Sequence, residues 1–221
     1  MQYDDKLLDM LQHQIVARGI SNPRILEAMQ RVPRHLFVTE ELKSEAYSDK
    51  PLALPEDRAT ISQPYMVAYM TDVLNCQPAD RILEIGTGSG YQAAILSFLC
   101  REVYTVERHY SLSVNAQRTT QTLAINNIHF HVGDGLDGWE AFAPYDKIIV
   151  TAASRNIPQK LLDQLAVNGV MLIPLGESQM QTLTLVTKEE HQVSSKSLIP
   201  CVFVPLISNY KDLTQTDDPS S

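Results

Sequence analysis

Arg81-Ile-Leu-Glu-Ile-Gly-Thr-Gly-Ser-Gly-Tyr91 decides the fold. An apolar run from Arg81 to Ile85 reads as a short strand. Gly86, Gly88 and Gly90 make a tight turn, and Tyr91 to Leu99 reads as a helix. Strand, glycine turn and helix are how α/β domains build a nucleotide pocket, because glycines let backbone approach a ligand and the helix start offers unpaired N–H groups. The spacing is G-x-G-x-G, not the G-x-G-x-x-G of dinucleotide binders. An acid, Glu84, also stands inside the strand. A carboxylate there repels a pyrophosphate and suits a cationic ligand, so S-adenosylmethionine, with its sulfonium and ammonium, fits better than NAD. The plain competing reading is a turn that only packs a helix on a sheet.

The bulk numbers set the frame. A chain of 221 residues, 44% hydrophobic and 20% charged, is an ordinary globule large enough for one α/β domain with a small accessory part. No apolar run reaches the roughly 18 residues of a membrane span. The start, Met1-Gln-Tyr-Asp-Asp-Lys6, lacks a signal-peptide pattern. Cys76, Cys100 and Cys201 form no CxxC pair and no metal spacing, which fits small hydrophobes in a reducing cytoplasm. A net charge of −8 argues against general nucleic-acid binding. A monomer with no metal, no membrane partner and no nucleic-acid partner is expected.

Outward from the glycine turn, strand and helix patterns alternate. Strands are predicted at 81–85, 102–106, 128–132, 146–151 and 169–173, and helices at 91–99, 111–124 and 156–166. This order argues for a parallel, doubly wound sheet. Two more strands, 182–187 and 201–204, come without a helix between them and predict an antiparallel edge. Upstream, residues 1–45 read as a helical side layer. Leu7, Leu8, Leu11 and Ile15 share one helical face, and Ile25, Leu26 and Met29 another. Residues 46–63 have little periodicity and are too long for a mere connector, which suggests a working loop. Pro64 opens a further helix. The division expected is one domain over 1–211, with 1–80 as helical layer and substrate loop, 81–211 as binding core, and 212–221 as a polar tail.

Three acids or hydroxyls carry the chemistry. Glu107 ends the second predicted strand, about 20 residues past the turn, where a carboxylate commonly accepts both ribose hydroxyls. Asp134, between Gly133 and Gly135, ends the third. It can accept from an adenine amino group or simply close an Asx-turn. Ser62 lacks a G-x-S-x-G context, so an acyl-transfer nucleophile is disfavoured, and by default it caps a helix or turn. His129 and His131 share a strand face with no third ligand nearby, which favours packing over metal. Trp139 reads as core or pocket wall.

Taken together the residues resemble the protein-L-isoaspartate (D-aspartate) O-methyltransferase family. The matching stretches are Val32-Pro-Arg34 with Phe37-Val38, Thr60-Ile-Ser-Gln-Pro-Tyr-Met-Val-Ala68, Leu83 to Gln92, Val106-Glu-Arg108, Gly133-Asp-Gly135, Ala143-Pro-Tyr-Asp146 with Ile149 to Ala153, and Phe203-Val-Pro-Leu206. They run in the family's order over almost the whole chain. The glycine segment alone marks a class I methyltransferase, whereas Thr-Ile-Ser-Gln-Pro is far more specific. The resemblance implies a seven-stranded Rossmann-like fold. It also implies methyl transfer from S-adenosylmethionine, with S-adenosylhomocysteine as product, to the free carboxylate of L-isoaspartyl residues. The ester then cyclises to a succinimide, which starts protein repair. It places Ser62 at the active site. It puts donor binding on Glu84, Gly86, Thr87, Gly88, Glu107, Asp134 and Gly135, and acceptor binding on Thr60, Ile61 and Gln63, with Arg58 beside them.

The chain departs from the family at two places. The family's Gly- and Gln-containing loop before Thr-Ile-Ser is here Glu56-Asp57-Arg58-Ala59, one residue shorter and without glycine. Two acids near a carboxylate acceptor disfavour its binding, and Arg58 can offset them. Ser154-Arg155-Asn156 stands where the family tends to have proline, in a loop expected to border the acceptor. The altered first loop keeps a methyltransferase with a different peptide acceptor in view. A non-catalytic S-adenosylmethionine-binding protein is the competitor from another class.

Overall fold

The computed structural model describes residues 3–56, 58–177 and 180–208. The polar tail expected from Asp212 lies outside these residues. Seven strands form one sheet. They are β3 (Arg81–Ile85), β4 (Glu102–Glu107), β5 (Ile128–Val132), β6 (Tyr145–Val150), β7 (Leu165–Glu177), β8 (Met180–Lys188) and β9 (Val193–Cys201). Their order is β5-β4-β3-β6-β7-β8-β9. Pairing is parallel from β5 to β7 and antiparallel across β7, β8 and β9. The order reverses at β3, with β4 on one side and β6 on the other. In such sheets the crevice at the carboxyl ends beside this reversal is where ligands bind.

Alternation along β3 sorts its side chains to two faces. Ile82 joins one buried cluster, with helices α2 (Pro23–Arg31), α3 (Pro64–Leu74) and α4 (Tyr91–Ser97). Leu83 and Ile85 join a second, with Leu161 of α6 (Gln159–Gln164) and Trp139. Helix α5 (Tyr110–Thr122) packs against β4, β5 and the 3-10 turn at Arg34–Phe37. The first cluster runs from Leu7 and Met10 through Val67 and Ile95 to Leu172 and Cys201. The N-terminal layer and the sheet therefore share one core. Among the described residues no helix is long and apolar enough to cross a membrane.

Four elements differ from the sequence reading. Helix α1 (Tyr3–Asp9) passes into a π-helical segment at Met10–Ile15. Its i→i+5 bonding shifts the phase of the residues beyond Asp9. Leu7, Leu11 and Ile15 are buried as expected, Met10 joins them, and Leu8 is 52% exposed. The helix expected at 156–166 is only Gln159–Gln164, because the chain enters the sheet at Leu165 opposite Tyr145. A bulge then carries β7 past Asn168, at φ +64°, to Val170 opposite Lys147. The last strand is Val193–Cys201, not 201–204. It pairs along β8 through Ser194, Ser195 and Ser197, which give no apolar period to read. Residues 202–204 leave the sheet, and Pro205 bridges to Ala153.

The expected loop at 46–63 contains a small hairpin, β1 (Leu52–Ala53) paired antiparallel with β2 (Thr60–Ile61).

Ile15→Ala should lower the unfolding free energy by about 2–5 kcal/mol, as large-to-small core changes do. Leu8→Ala should change it by less than about 0.5 kcal/mol. Urea unfolding of both variants checks which face of the N-terminal helical segment is buried, and the reverse ranking would contradict it.

Candidate active site

The glycine turn is built to be tight. Gly86, Gly88 and Gly90 have φ of +96°, +53° and +84°, a region that favours glycine. A side chain at Gly86 would run into Thr151 Oγ1, and one at Gly90 would stop 2.8 Å from Ala116 Cβ on α5. Four of the turn's own amides are already used. Gly86 and Thr87 N–H donate to Val106 O at 2.9 and 3.3 Å, and Gly90 N–H to Thr87 O at 2.8 Å. Gly88 N–H donates to Glu107 Oε2 at 2.8 Å. A turn whose amides are spent inside the protein is a poor nest for a pyrophosphate. This agrees with the preference for S-adenosylmethionine over NAD read from the sequence, because a ligand without phosphate suits such a turn better.

Glu107 is 5% exposed at the end of β4. Its Oε1 accepts from His109 N–H at 3.0 Å while Oε2 takes Gly88. Two backbone donors fix the carboxylate, and each oxygen keeps a further lone pair for a ligand hydroxyl. Glu107 lines an open cleft together with Gly86, Gly88, Gly135 and Thr151. Arg58, Ala59 and Thr60 of the hairpin form one wall, and Val204 to Ile207 another. A second, smaller cavity shares Thr60, Gly86, Gly88 and Thr151 with the first. Ile61, Ser62, Thr87 and Gln92 also line it. The structure thus brings the Thr60–Ser62 segment and the glycine turn to one place, although 24 positions separate Ser62 from Gly86 in the sequence.

Three expected residues stand elsewhere. Glu84 lines neither of these cavities. It is fully buried beneath the turn, where Thr105 Oγ1 donates to its Oε2 at 2.5 Å and Thr87 Oγ1 lies 2.6 Å from Thr105 Oγ1. Burial pushes its carboxyl up to about 8. At neutral pH it is an uncharged post under the turn rather than a charge facing a ligand. Asp134 lines neither cavity: Oδ1 accepts from Leu136 N–H of its own loop at 2.9 Å and Oδ2 from Ser208 Oγ of the C-terminal segment at 2.7 Å. The Asx-turn is present, and its neighbour Gly135 lines the cleft. Gln63 turns outward and donates to Asp49 Oδ1 at 3.0 Å.

The 154–156 loop is likewise directed away, with Ser154 N–H on Pro174 O at 3.0 Å and Arg155 paired with Glu177 at 3.2 Å. His129 and His131 stack on Tyr104 and Trp139, with ring centroids 4.7 and 4.9 Å apart. Among the described residues no group of three or more His, Cys, Asp or Glu is placed to hold a metal.

Sequence reasoning missed Thr151 and the 204–207 wall. Thr151 Oγ1 donates to Gly86 O at 2.8 Å and so staples the turn to the end of β6. Its place at a strand's carboxyl end beside the reversal of strand order is the signal that could have found it. Val204 to Ile207 carry no chemical sign beyond being apolar.

A model of the "Protein-L-isoaspartate(D-aspartate) O-methyltransferase (PCMT)" family matches residues 3–211. "Protein-L-isoaspartate O-methyltransferase 2" of Geotalea uraniireducens is 48% identical over 202 residues, 91% of this chain and 93% of that one. "Protein-L-isoaspartate O-methyltransferase" of Desulfotalea psychrophila is 52% identical over 198 residues, 90% and 92% of the two chains. Among solved structures, a protein-L-isoaspartate O-methyltransferase superposes with a TM-score of 0.82 at 27% identity, covering 94% of this chain and 67% of that one. A putative one from Plasmodium falciparum, in complex with S-adenosyl-L-homocysteine, gives 0.80 at 25% identity over 95% of this chain and all of that one.

The protonated Glu84 has a signature in stability. A carboxyl raised from 4.5 to about 8 by folding stabilises fully below the unfolded value and loses that contribution as pH rises through the folded one. Between pH 5 and 8 the wild type should therefore lose stability relative to Glu84→Gln, which mimics the neutral acid. Urea unfolding of both at the two pH values checks this, and a constant difference would contradict it.

Proposed function

The chain belongs to the protein-L-isoaspartate(D-aspartate) O-methyltransferase family, and on that premise we propose that it transfers a methyl group from S-adenosylmethionine to the free carboxylate of L-isoaspartyl residues in damaged proteins and peptides. The observation that carries the reading is the meeting of Thr60, Ile61 and Ser62 with Gly86, Thr87 and Gly88 around a cavity that shares Thr60, Gly86, Gly88 and Thr151 with the cleft lined by Glu107. In this reading Glu107 takes the donor's ribose. Gly86, Thr87 and Gly88 lie along its amino-acid part, and Gly135, held by the Asp134 turn, flanks its base. Glu84 supports the turn from below. The fit rests on the spent amides of the turn and on the fixed Glu107 carboxylate.

When bound, the donor supplies a sulfonium methyl that a carboxylate oxygen takes as the carbon–sulfur bond breaks to leave a neutral thioether. The acceptor, with a pKa near 4, is already ionised at pH 7 and needs no general base. What the protein must supply is placement and partial removal of water. Ser62, at the acceptor-side cavity, holds one carboxylate oxygen by its hydroxyl without carrying the proton. Thr60, Ile61 and Arg58 belong to the same side, whereas Gln63 acts through Asp49 on the hairpin's base. The ester then closes to a succinimide without further help, which begins repair.

Residues 1–80 and 81–211 act as one catalytic unit, the first bringing the acceptor hairpin and the second the donor site. The shared core supports this. A monomer in the cytoplasm, without nucleic-acid or membrane partners, belongs to the same proposal. Three free, buried cysteines and a net charge of −8 favour it.

Base-labile methyl incorporation into an isoaspartyl peptide, with its normal aspartyl counterpart as control, tests the reading. Incorporation only into the first is expected. Donor turnover with neither peptide would point to another acceptor, and donor binding without any ester to a non-catalytic role. Ser62→Ala should lower kcat by about 10- to 100-fold, the loss of one hydrogen bond to a charged group, with S-adenosylmethionine affinity near that of the wild type. A large loss of donor affinity instead would place Ser62 in the donor pocket.

A further inference from the structure

The altered hairpin loop raises a physical question: an acid at position 56 sits badly beside an anionic acceptor. The structure turns Glu56 away from both cavities. Its Oε1 accepts from Ser111 Oγ, and its Oε2 lies 3.8 Å from His109 Nδ1. Ser111 is in the first turn of α5, and His109 immediately precedes that helix. His109 also donates its backbone N–H to Glu107 Oε1 at 3.0 Å. The tip of the acceptor hairpin is thereby fastened to the short segment that orients the ribose-binding carboxylate.

The hairpin is held elsewhere as well. Ala59 N–H closes the tip on Glu56 O at 3.1 Å, and Leu54 N–H meets Ala59 O at 2.9 Å. At the base Gln63 donates to Asp49, which also pairs with Arg18 at 2.9 Å. Between base and tip the hairpin lies over the glycine turn, with Leu54 Cδ1 3.5 Å and Thr60 O 3.8 Å from where a Gly88 Cβ would stand. Arg58, Ala59 and Thr60 wall the cleft on this side. A ligand filling that cleft has the hairpin as one of its walls, and the contact of Glu56 with Ser111 and His109 spans from that wall to α5.

We propose that Glu56 is a positioning residue: through Ser111 and His109 it clasps the acceptor hairpin shut over the bound donor, so that capture and release of donor and product require the clasp to open. This rests on the reading of the cleft as the donor site. It also explains how an acid is tolerated at position 56, since its charge is committed to α5 and not to the acceptor. The Glu56 and His109 side chains are about one-third exposed, at 33% and 30%, so solvent screens part of the interaction.

The test measures dissociation of S-adenosylhomocysteine from the full chain after rapid dilution, for the wild type, Glu56→Ala, Ser111→Ala, their double variant and Glu56→Gln. Glu56→Ala and Ser111→Ala should each speed release about fivefold, the scale of one partly screened hydrogen bond to a charge. The double variant should be no faster than the faster single one, because both remove the same contact. Glu56→Gln keeps an oxygen for Ser111 and should recover part of the loss, which a generally loosened fold would not do. Unchanged release in Glu56→Ala, or additive effects in the double variant, would overturn the clasp. Should Glu56→Ala not fold, Ser111→Ala and Glu56→Gln give the same reading, and unchanged release in Ser111→Ala would overturn it. Failure of the wild type to bind S-adenosylhomocysteine would overturn the donor-site reading itself, and is seen before any variant is compared.

Discussion

One carboxylate, Glu107, ties the site together. It ends β4, yet it accepts from Gly88 N–H in the turn after β3 and from His109 N–H at the start of α5. Two adjacent strand ends are thus pinned to a single charged group. Hydrogen bonds to a charged acceptor contribute more than neutral ones, on the order of 1.5–3 kcal/mol each. The same group is turned to the cleft with lone pairs in reserve. Position and chemistry come from one residue, which is why the glycine turn, α5 and the hairpin docked on α5 all converge on it.

The turn itself selects by what it withholds. Its amides at Gly86, Thr87, Gly88 and Gly90 are bonded inside the protein. Glycine-rich turns that cradle phosphates leave such donors open. Here four amides so bonded leave less for a pyrophosphate. Glu84 completes the foundation differently from its appearance in the sequence. Buried on the helix-covered face of β3, it would be costly as an anion and stays protonated to about pH 8. Its partners Thr105 and Thr87 connect β3, β4 and the turn in one short chain of hydrogen bonds. The acid that suggested attraction to a cation acts instead as neutral mortar.

Much of this architecture is legible in the sequence. The strand, turn and helix at Arg81–Ser97, the alternation after them and the antiparallel edge can be read from period and glycine spacing. Position 107 comes from the geometry of the unit it closes. The less legible parts share a physical reason. β9 pairs through serines with no apolar alternation, so only the neighbouring strand reveals it. The π-helical bonding at Met10–Ile15 leaves Leu11 and Ile15 buried as a 3.6-residue period also would, so the period gives no sign of it. Thr151 works through its hydroxyl on Gly86 O, a contact between residues far apart in the chain. Glu56 looks like a liability to an anionic acceptor because its partner, Ser111, is 55 positions away.

The central claim is that Glu107 grips the donor through its ribose hydroxyls, and calorimetric titration of S-adenosylhomocysteine into wild type and Glu107→Ala tests it most directly. The account predicts a single site in the wild type and affinity at least about tenfold weaker in the variant, the loss of a charged acceptor shared by two hydroxyls. Equal affinity in the two, with both proteins folded, would contradict it.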